Sequence, residues 1–404
     1  MNEQRLRQLL REAPVPEAEG AERRGLMMVA EAFRQRVEAP PPRSTRTSPR
    51  RLAISLAIAA VLAALLLSPA GASVRHWVGD VFADNVPPAQ PGLANTPGAG
   101  RLLVVSGAGP WVVQPDGSRR LLGDYGEATW SPHGLFVAAV SGRTLTAVEP
   151  DGSPHWSLTA GAPISDPRWS PTGFRIAYRA GRELRVTAAN GSGDHGIEAG
   201  TAAVAPAWMP QGLPELAYVD GSGRLRIADS ESGRVLNTAS ALAGVVKLAW
   251  GEGGTLLLEA SRGAVRLRTL RIEKLTQGIE VGPGRRLPLP AGATVRDAAI
   301  SPAGGTVAVL VRDRRGGGSR SSVLLFARNG APRRLLAVPG SLSELAFSPD
   351  GGRLLIAWPE ADEWLFLPLG RGRGKVVGDV SAAFAPGQRA AAFPQIEGWC
   401  CHAR

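Results

Sequence analysis

The sequence is poor in the residues from which most catalytic and metal sites are built. Among 404 residues there are two cysteines, five histidines, three tyrosines and four methionines. Cys400 and Cys401 are adjacent, which excludes a disulfide scaffold, and neighbouring cysteines rarely reach the separation that a disulfide prefers. They read as thiols of an exposed C-terminal tail, 394–404, with a reactive thiol site or an intermolecular disulfide as alternatives. His76, His133, His155, His195 and His402 form no HExxH and no pair at ligand spacing, and only His402 has a cysteine nearby. No metal and no cofactor is therefore expected. There is no G-x-S-x-G elbow, no Walker loop and no dinucleotide fingerprint, so no catalytic residue is assigned. Lysine is scarce as well: Lys247, Lys274 and Lys375 are the only three, and arginine carries the net charge of +11. That skew points to a GC-rich genome more than to a ligand, and no nucleic-acid partner is expected.

Glycine and proline are abundant, at 50 and 33 residues, and from residue 100 onward they are evenly scattered. Helical bundles do not tolerate this; many short strands joined by turns do. A chain of this length is also too long for one ordinary core, which leaves several domains or a repeat architecture.

One long uncharged stretch stands apart. "LAISLAIAAVLAALLL", 52–67, extends to Ala72, giving 21 residues. At ~1.5 Å per residue these span roughly 31 Å, one hydrocarbon core. Arg36, Arg43, Arg46, Arg50 and Arg51 precede it and Arg75 follows, so the positive-inside bias keeps the N-terminus cytoplasmic and the remainder outside. Cleavage after Ala70-Gly71-Ala72 is the competing expectation, opposed by a 51-residue charged leader. Residues 1–38 read as a cytoplasmic segment of two helices, with Leu26, Ala30, Phe33 and Val37 on one stripe. A basic Pro-rich linker, 39–51, leads to the transmembrane helix at 52–72, and 73–100 forms a juxtamembrane segment and second linker.

From residue 101 to 393 one block recurs. "WSPHG" at Trp130 is followed by "WSPTG" at Trp169, "WMPQG" at Trp208, "WGEGG" at Trp250, "ISPAG" at Ile300, "FSPDG" at Phe347 and "FAPG" at Phe384, at spacings of 39, 39, 42, 50, 47 and 37. A bulky anchor ends one strand, Pro and Gly reverse the chain, and an alternating strand such as "RIAYR" or "LLIAW" follows. A third strand runs into a hairpin turn at Asp116-Gly117, Asp151-Gly152 or Asn190-Gly191. Four antiparallel strands per unit leave two apolar faces that only neighbouring units can cover. The expected fold class is therefore all-β, a seven-bladed β-propeller with six or eight blades also open. The seventh blade is assembled from both ends of the repeat region, 101–123 and 381–393.

"WSPTGFRIAY" and "FSPDGGRLLIAW" resemble the TolB-like, WD40-like bacterial propeller repeat, W-S-P-D-G-x-x-I-A-Y, over about 101–393. "WGEGG" departs from it by lacking the proline. The resemblance implies an extracytoplasmic protein-binding scaffold, a sensor domain or a peptidase appendage. The whole layout is also similar to that of bacterial transmembrane regulators such as anti-sigma factors, although the zinc-binding His-x3-Cys-x2-Cys of many of these is absent. Two basic, Gly-rich loops are the candidate binding elements: Arg312, Arg314, Arg315 and Arg320 in one, and Arg371, Arg373 and Lys375 in the other. Their partner would be an anionic wall polymer or lipid headgroup. The expected function is that of a non-catalytic membrane protein displaying a propeller to protein partners. A released periplasmic component and a propeller-type lyase or hydrolase are the alternatives.

Overall fold

The local unit of the fold is a turn. At Ser131–Gly134, Ser170–Gly173, Ser301–Gly304 and Ser348–Gly351 the glycine N–H donates to the serine carbonyl at 2.8–2.9 Å. Each of these glycines lies at φ between +64° and +78°, where a side chain would be strained. The serine performs a further task that the repeat pattern does not announce. Its hydroxyl accepts the backbone N–H five residues on, from Phe136, Arg175, Thr306 or Arg353, at 2.9–3.1 Å. All four serines are buried, so the hydroxyl takes the place of water at the start of the next strand.

The second turn of the repeat is equally regular. Gly117, Gly152 and Gly191 lie at φ +81° to +91°, and each donates to a carbonyl three residues back. Asp116, Asp151 and Asn190 accept the N–H of the following serine through Oδ1 at 2.8–3.1 Å. Asx geometry of this kind pre-forms the hairpin.

The computed structural model describes residues 90–401, apart from 92, 94–95, 99, 211–213, 241–243, 252–254, 261–263, 274–277, 282–284, 316–317, 328–331 and 386–391. Residues 1–38 and 39–51, expected as a cytoplasmic segment and a basic linker, and the apolar run 52–72 lie outside the described residues. No helix among the described residues is long and apolar enough to cross a membrane.

The described strands form seven sheets. Six begin at an expected anchor and run outward in chain order, the sixth with one added edge strand. The Trp130 sheet is Glu127–Trp130, Val137–Ser141, Thr144–Val148 and Pro154–Thr159. The Trp169 sheet is Ile164–Trp169, Arg175–Ala180, Glu183–Ala188 and His195–Glu198. The Trp208, Trp250 and Ile300 sheets start at Ala207–Trp208, Val245–Gly251 and Thr294–Ile300. The Phe347 sheet starts at Leu345–Phe347, and Gln90–Pro91 adds to its outer strand Lys375–Gly378 in parallel.

The seventh sheet is assembled from both ends of the domain, but not from the segment expected. Gln395–Cys400 pairs with Arg101–Ser106, which continues to Gly109–Val113 and Arg119–Leu121. Residues 395–400, expected in a tail, thus form the innermost strand, and buried Trp399 stands where Phe384 was expected. Phe384 instead follows the one-turn helix Val380–Ala383 and is fully buried, with its ring 5.8 Å from Trp111 and 5.4 Å from Trp364. Its burial, not a place in a strand, explains the aromatic there. The cysteines are corrected in the same way: Cys400 and Cys401 are joined to each other by a disulfide, half-buried against Ser131 and Pro132 of the Trp130 turn.

The core is distributed around a circle. Each of seven apolar clusters joins the facing sides of two neighbouring sheets, for example Val140, Leu145, Trp169, Ile176 and Tyr178 between the Trp130 and Trp169 sheets. Further clusters join Trp169 to Trp208, Trp208 to Trp250, Trp250 to Ile300, Ile300 to Phe347, and Phe347 to Trp399. The last joins Trp399 back to Trp130. The inner strands touch in the same cyclic order.

Trp208 is buried and its indole N–H donates to the Arg168 carbonyl of the preceding sheet at 2.8 Å. Trp208→Ala is expected to lower the unfolding free energy by about 3–5 kcal/mol, whereas Ser348→Ala should cost about 1–2 kcal/mol, both read by denaturant melting. Deleting 395–404 removes the closing strand and should abolish cooperative thermal unfolding measured by circular dichroism.

Candidate functional site

Seven inner strands converge on the centre of the circle, and four of them carry an irregularity there. Register shifts leave Val246, Arg296 and Glu397 without a cross-strand partner and set Asp166-Pro167 opposite Tyr178. A β-bulge of this kind re-aims a side chain that regular alternation would direct elsewhere. Asp166 adopts φ +56° at its bulge, and Val246 is 49% exposed.

Carboxylates on the inner strands bridge one sheet to the next. The Asp166 N–H donates to Glu127 Oε2 at 2.6 Å, the Leu345 N–H to Asp297 Oδ2 at 2.8 Å, and the Ile396 N–H to Glu344 Oε2 at 2.6 Å. Glu127, Asp166, Asp297 and Glu344 all stand three residues before their anchors. This position was the available sequence signal for the channel, and it was missed because the anchors drew attention to the turns after them. Two cations complete the pairs: Arg179 Nη1 meets Asp166 Oδ2 at 2.8 Å, and Lys247 Nζ meets Asp297 Oδ1 at 2.5 Å. Burial raises the pKa of Glu344 to about 7, against the bond from Ile396 N–H. Burial also pushes Glu127 and Glu397 up, while Arg168 pulls both down through space.

A cavity of 660 Å³ opens beside these groups, lined by Trp130, Trp169, Trp208 and Trp250 and by Pro132 and Pro171 of the turns. Its charged wall groups are Asp166, Arg168, Lys247, Arg296 and Asp297. The volume falls in the range of small-ligand sites.

The basic loops expected to bind lie elsewhere and do not form one patch. Arg312 to Arg320 spans a long hairpin of Thr306–Arg315 and Gly318–Ala327, in which half-buried Arg312 donates through Nε to Ser319 Oγ at 2.8 Å. Exposed Arg320 borders a second cavity, of 420 Å³. The side chains of Arg314 and Arg315 lie outside the described residues. Arg371 and Arg373 are exposed between Glu363–Pro368 and Lys375–Gly378, and burial holds the Lys375 ammonium below its ordinary pKa. Inner strands run toward the Ser-Pro-x-Gly turns, second strands away and third strands back. The first loop, after a second strand, is therefore on the face opposite the turns, and the second loop, after a third strand, is on the turn face.

The Gly-rich "GSGDHG" is absorbed by the fold. Asp194 accepts from the Tyr178 hydroxyl at 2.6 Å and from Arg185, and His195 bonds the Gly193 and Ser230 carbonyls. Burial and the Asp194 carboxylate push the Tyr178 phenol far above its ordinary pKa. Glu198 and Tyr218 repeat the arrangement one sheet on, at 3.1 Å. Among the described residues no group of three or more His, Cys, Asp or Glu could hold a metal ion.

Comparison with solved structures decides the architecture. The chain is similar to the Cps50 (Swd1) β-propeller domain of Myceliophteria thermophila, with 14% identity and a TM-score of 0.53 over 65% of this chain and 91% of that one. It is similar to Hsv2p of Kluyveromyces lactis at 14% identity and a TM-score of 0.50, over 69% and 93%. The fold is a WD40-like β-propeller. No family model matches the chain, and no curated protein matches it. The central cavity is thus the channel of a propeller, and the sheets are its blades.

For Glu344 the sign of the pH effect follows from the raised pKa. The folded state takes up a proton between about 4.5 and 7, where the unfolded chain does not, so this group's contribution falls as pH rises through that window. Glu344→Gln should remove the fall: its stability relative to the parent should grow by on the order of 2 kcal/mol from pH 5 to 7.5, measured by urea unfolding at each pH.

Proposed function

We propose that the chain is a single-pass membrane protein that presents a seven-bladed propeller outside the cytoplasm as a non-catalytic scaffold or sensor for protein partners. One observation carries the scaffold reading. Leu135, 64% exposed, and Phe174, 74% exposed, occupy the same place directly after the Ser-Pro-x-Gly turns of neighbouring blades. The two turns adjoin, since a Cβ on Gly173 would meet Pro132 Cγ at 3.4 Å, and Pro132 and Pro171 line the cavity. Large exposed apolar side chains that follow adjoining turns, whose prolines line a cavity, mark a contact surface. The blade number is supported by the seven sheets and the cyclic contacts of their inner strands. Membrane attachment is supported by the uncharged run 52–72 and the arginines before it. Contact of Arg320, Arg371 and Arg373 with anionic wall polymer or lipid belongs to the same proposal.

The raised carboxyls of Glu127, Glu344 and Glu397 favour a second reading, a lyase or hydrolase working in the channel. Glu127 and Glu344 already accept backbone N–H bonds between blades, which gives them a structural role and ranks this reading second.

Topology is tested on intact cells, or on spheroplasts where a wall or outer membrane blocks access. After reduction with an impermeant phosphine, an impermeant maleimide should label Cys400 and Cys401 without lysis; labelling only after lysis refutes an outside propeller. Partner binding is tested with a photo-crosslinking residue at position 135 or 174. Both should give one adduct of the same mass, and position 142, on the opposite face, none.

A further inference from the structure

At the level of the channel one residue before each anchor, six of the seven positions are small. They are Thr129, Ala207, Ala249, Ala299, Ala346 and Gly398, and the seventh is Arg168. Of these, Arg168, Ala207 and Ala249 line the cavity, while Ala207, Ala249, Ala299 and Ala346 pack into the clusters between blades. Packing does not require an arginine: the equivalent site is filled elsewhere by alanine without loss of the strand. Nor is Arg168 consumed by an ion pair. Its Nη1 donates to its own Pro167 carbonyl at 2.8 Å, and among the described residues no carboxylate lies within ion-pair distance of it.

The other charges of the cavity wall largely cancel. Asp166 is paired by Arg179, and Asp297 by Lys247. Arg168 and Arg296 remain, Arg296 at a bulge and exposed. Glu127 and Glu397 act on Arg168 through space only. The rest of the wall is indole, proline and alanine, with Ser170, Val246 and Leu248. Such a cavity offers a planar two-pronged donor for an oxyanion and an apolar lining for what carries it.

We propose that the central channel binds a carboxylate carried on an apolar body, with the Arg168 guanidinium as the anchoring group. The carboxylate comes from a free organic acid or from the end of a peptide chain; both present the same group to the same arginine. This inference rests on the propeller acting as a binding module, and it names the chemistry of its ligand.

The full-length protein in detergent is titrated with 3-phenylpropanoate, with acetyl-Ala-Ala-Phe bearing a free C-terminus, and with the amide of each. Tryptophan fluorescence reports occupancy, because four indoles line the cavity. Saturable binding of at least one free acid is expected, with the corresponding amide at least tenfold weaker. Response to the peptide alone assigns the carboxylate to a protein partner, and response to the small acid alone assigns it to a metabolite. Arg168→Met should weaken binding at least tenfold with an unchanged melting temperature, Arg168→Lys less, and Arg143→Met, at an exposed arginine outside both cavities, not at all. Equal binding of acid and amide, undiminished binding by Arg168→Met, or no saturable response to any probe overturns the proposal. If the adduct crosslinked from position 174 still forms while neither acid binds the parent protein, the scaffold stands and the carboxylate site does not.

Discussion

Everything in this domain depends on the mutual covering of sheet faces. A four-stranded sheet with apolar residues on both sides has no stable exposed state, and each of the seven clusters is shared between two sheets. A linear stack would leave two faces bare. Closing the stack into a circle leaves none, and it makes the seam between the last blade and the first the critical joint. Here the joint is the pairing of Gln395–Cys400 with Arg101–Ser106, which ties the two ends of the domain into one sheet.

Closure also creates the channel. The alanines before the anchors pack into the clusters between neighbouring blades, and Ala207 and Ala249 also line the cavity. Backbone N–H groups at this axis lie on exposed strand edges and need acceptors; Glu127, Asp297 and Glu344 supply them from the neighbouring blade. The carboxylates therefore bridge neighbouring blades from within, and burial raises the pKa of two of them, Glu127 and Glu344. Arg168 stands where five of the other blades carry alanine or glycine and one threonine, and it acts on Glu127 and Glu397 through space without a direct ion pair.

Much of the fold is legible along the chain. Trp130, Trp169 and Trp208 announce themselves through the turn chemistry that follows, and Asp116-Gly117, Asp151-Gly152 and Asn190-Gly191 mark hairpins by local preference alone. The closing strand was hidden because "IEGWCC" carries an anchor without a Pro-x-Gly turn, while "FAPG" at Phe384 carries the turn residues without a strand. Local chemistry pointed to the wrong one of the two aromatics, and only pairing with 101–106 distinguishes them. The basic loops were legible as exposed arginine, but not their separation, since loop position depends on strand direction within each blade. The bulges at Val246, Arg296 and Glu397 are products of pairing and leave no mark in one strand's own sequence.

By itself, then, the sequence determined what is decided within about ten residues: turn type, strand alternation, the repeat, and the need for like neighbours. It also carries the uncharged run 52–72, whose hydrophobicity is a property of composition. The tertiary structure alone decided which strand closes the circle, which side chains face the axis and which charges there find partners. The physical reason is range: turn and strand preferences arise from a residue's own backbone and nearest neighbours, whereas the channel exists only where residues from Glu127 to Glu397 meet across the ring.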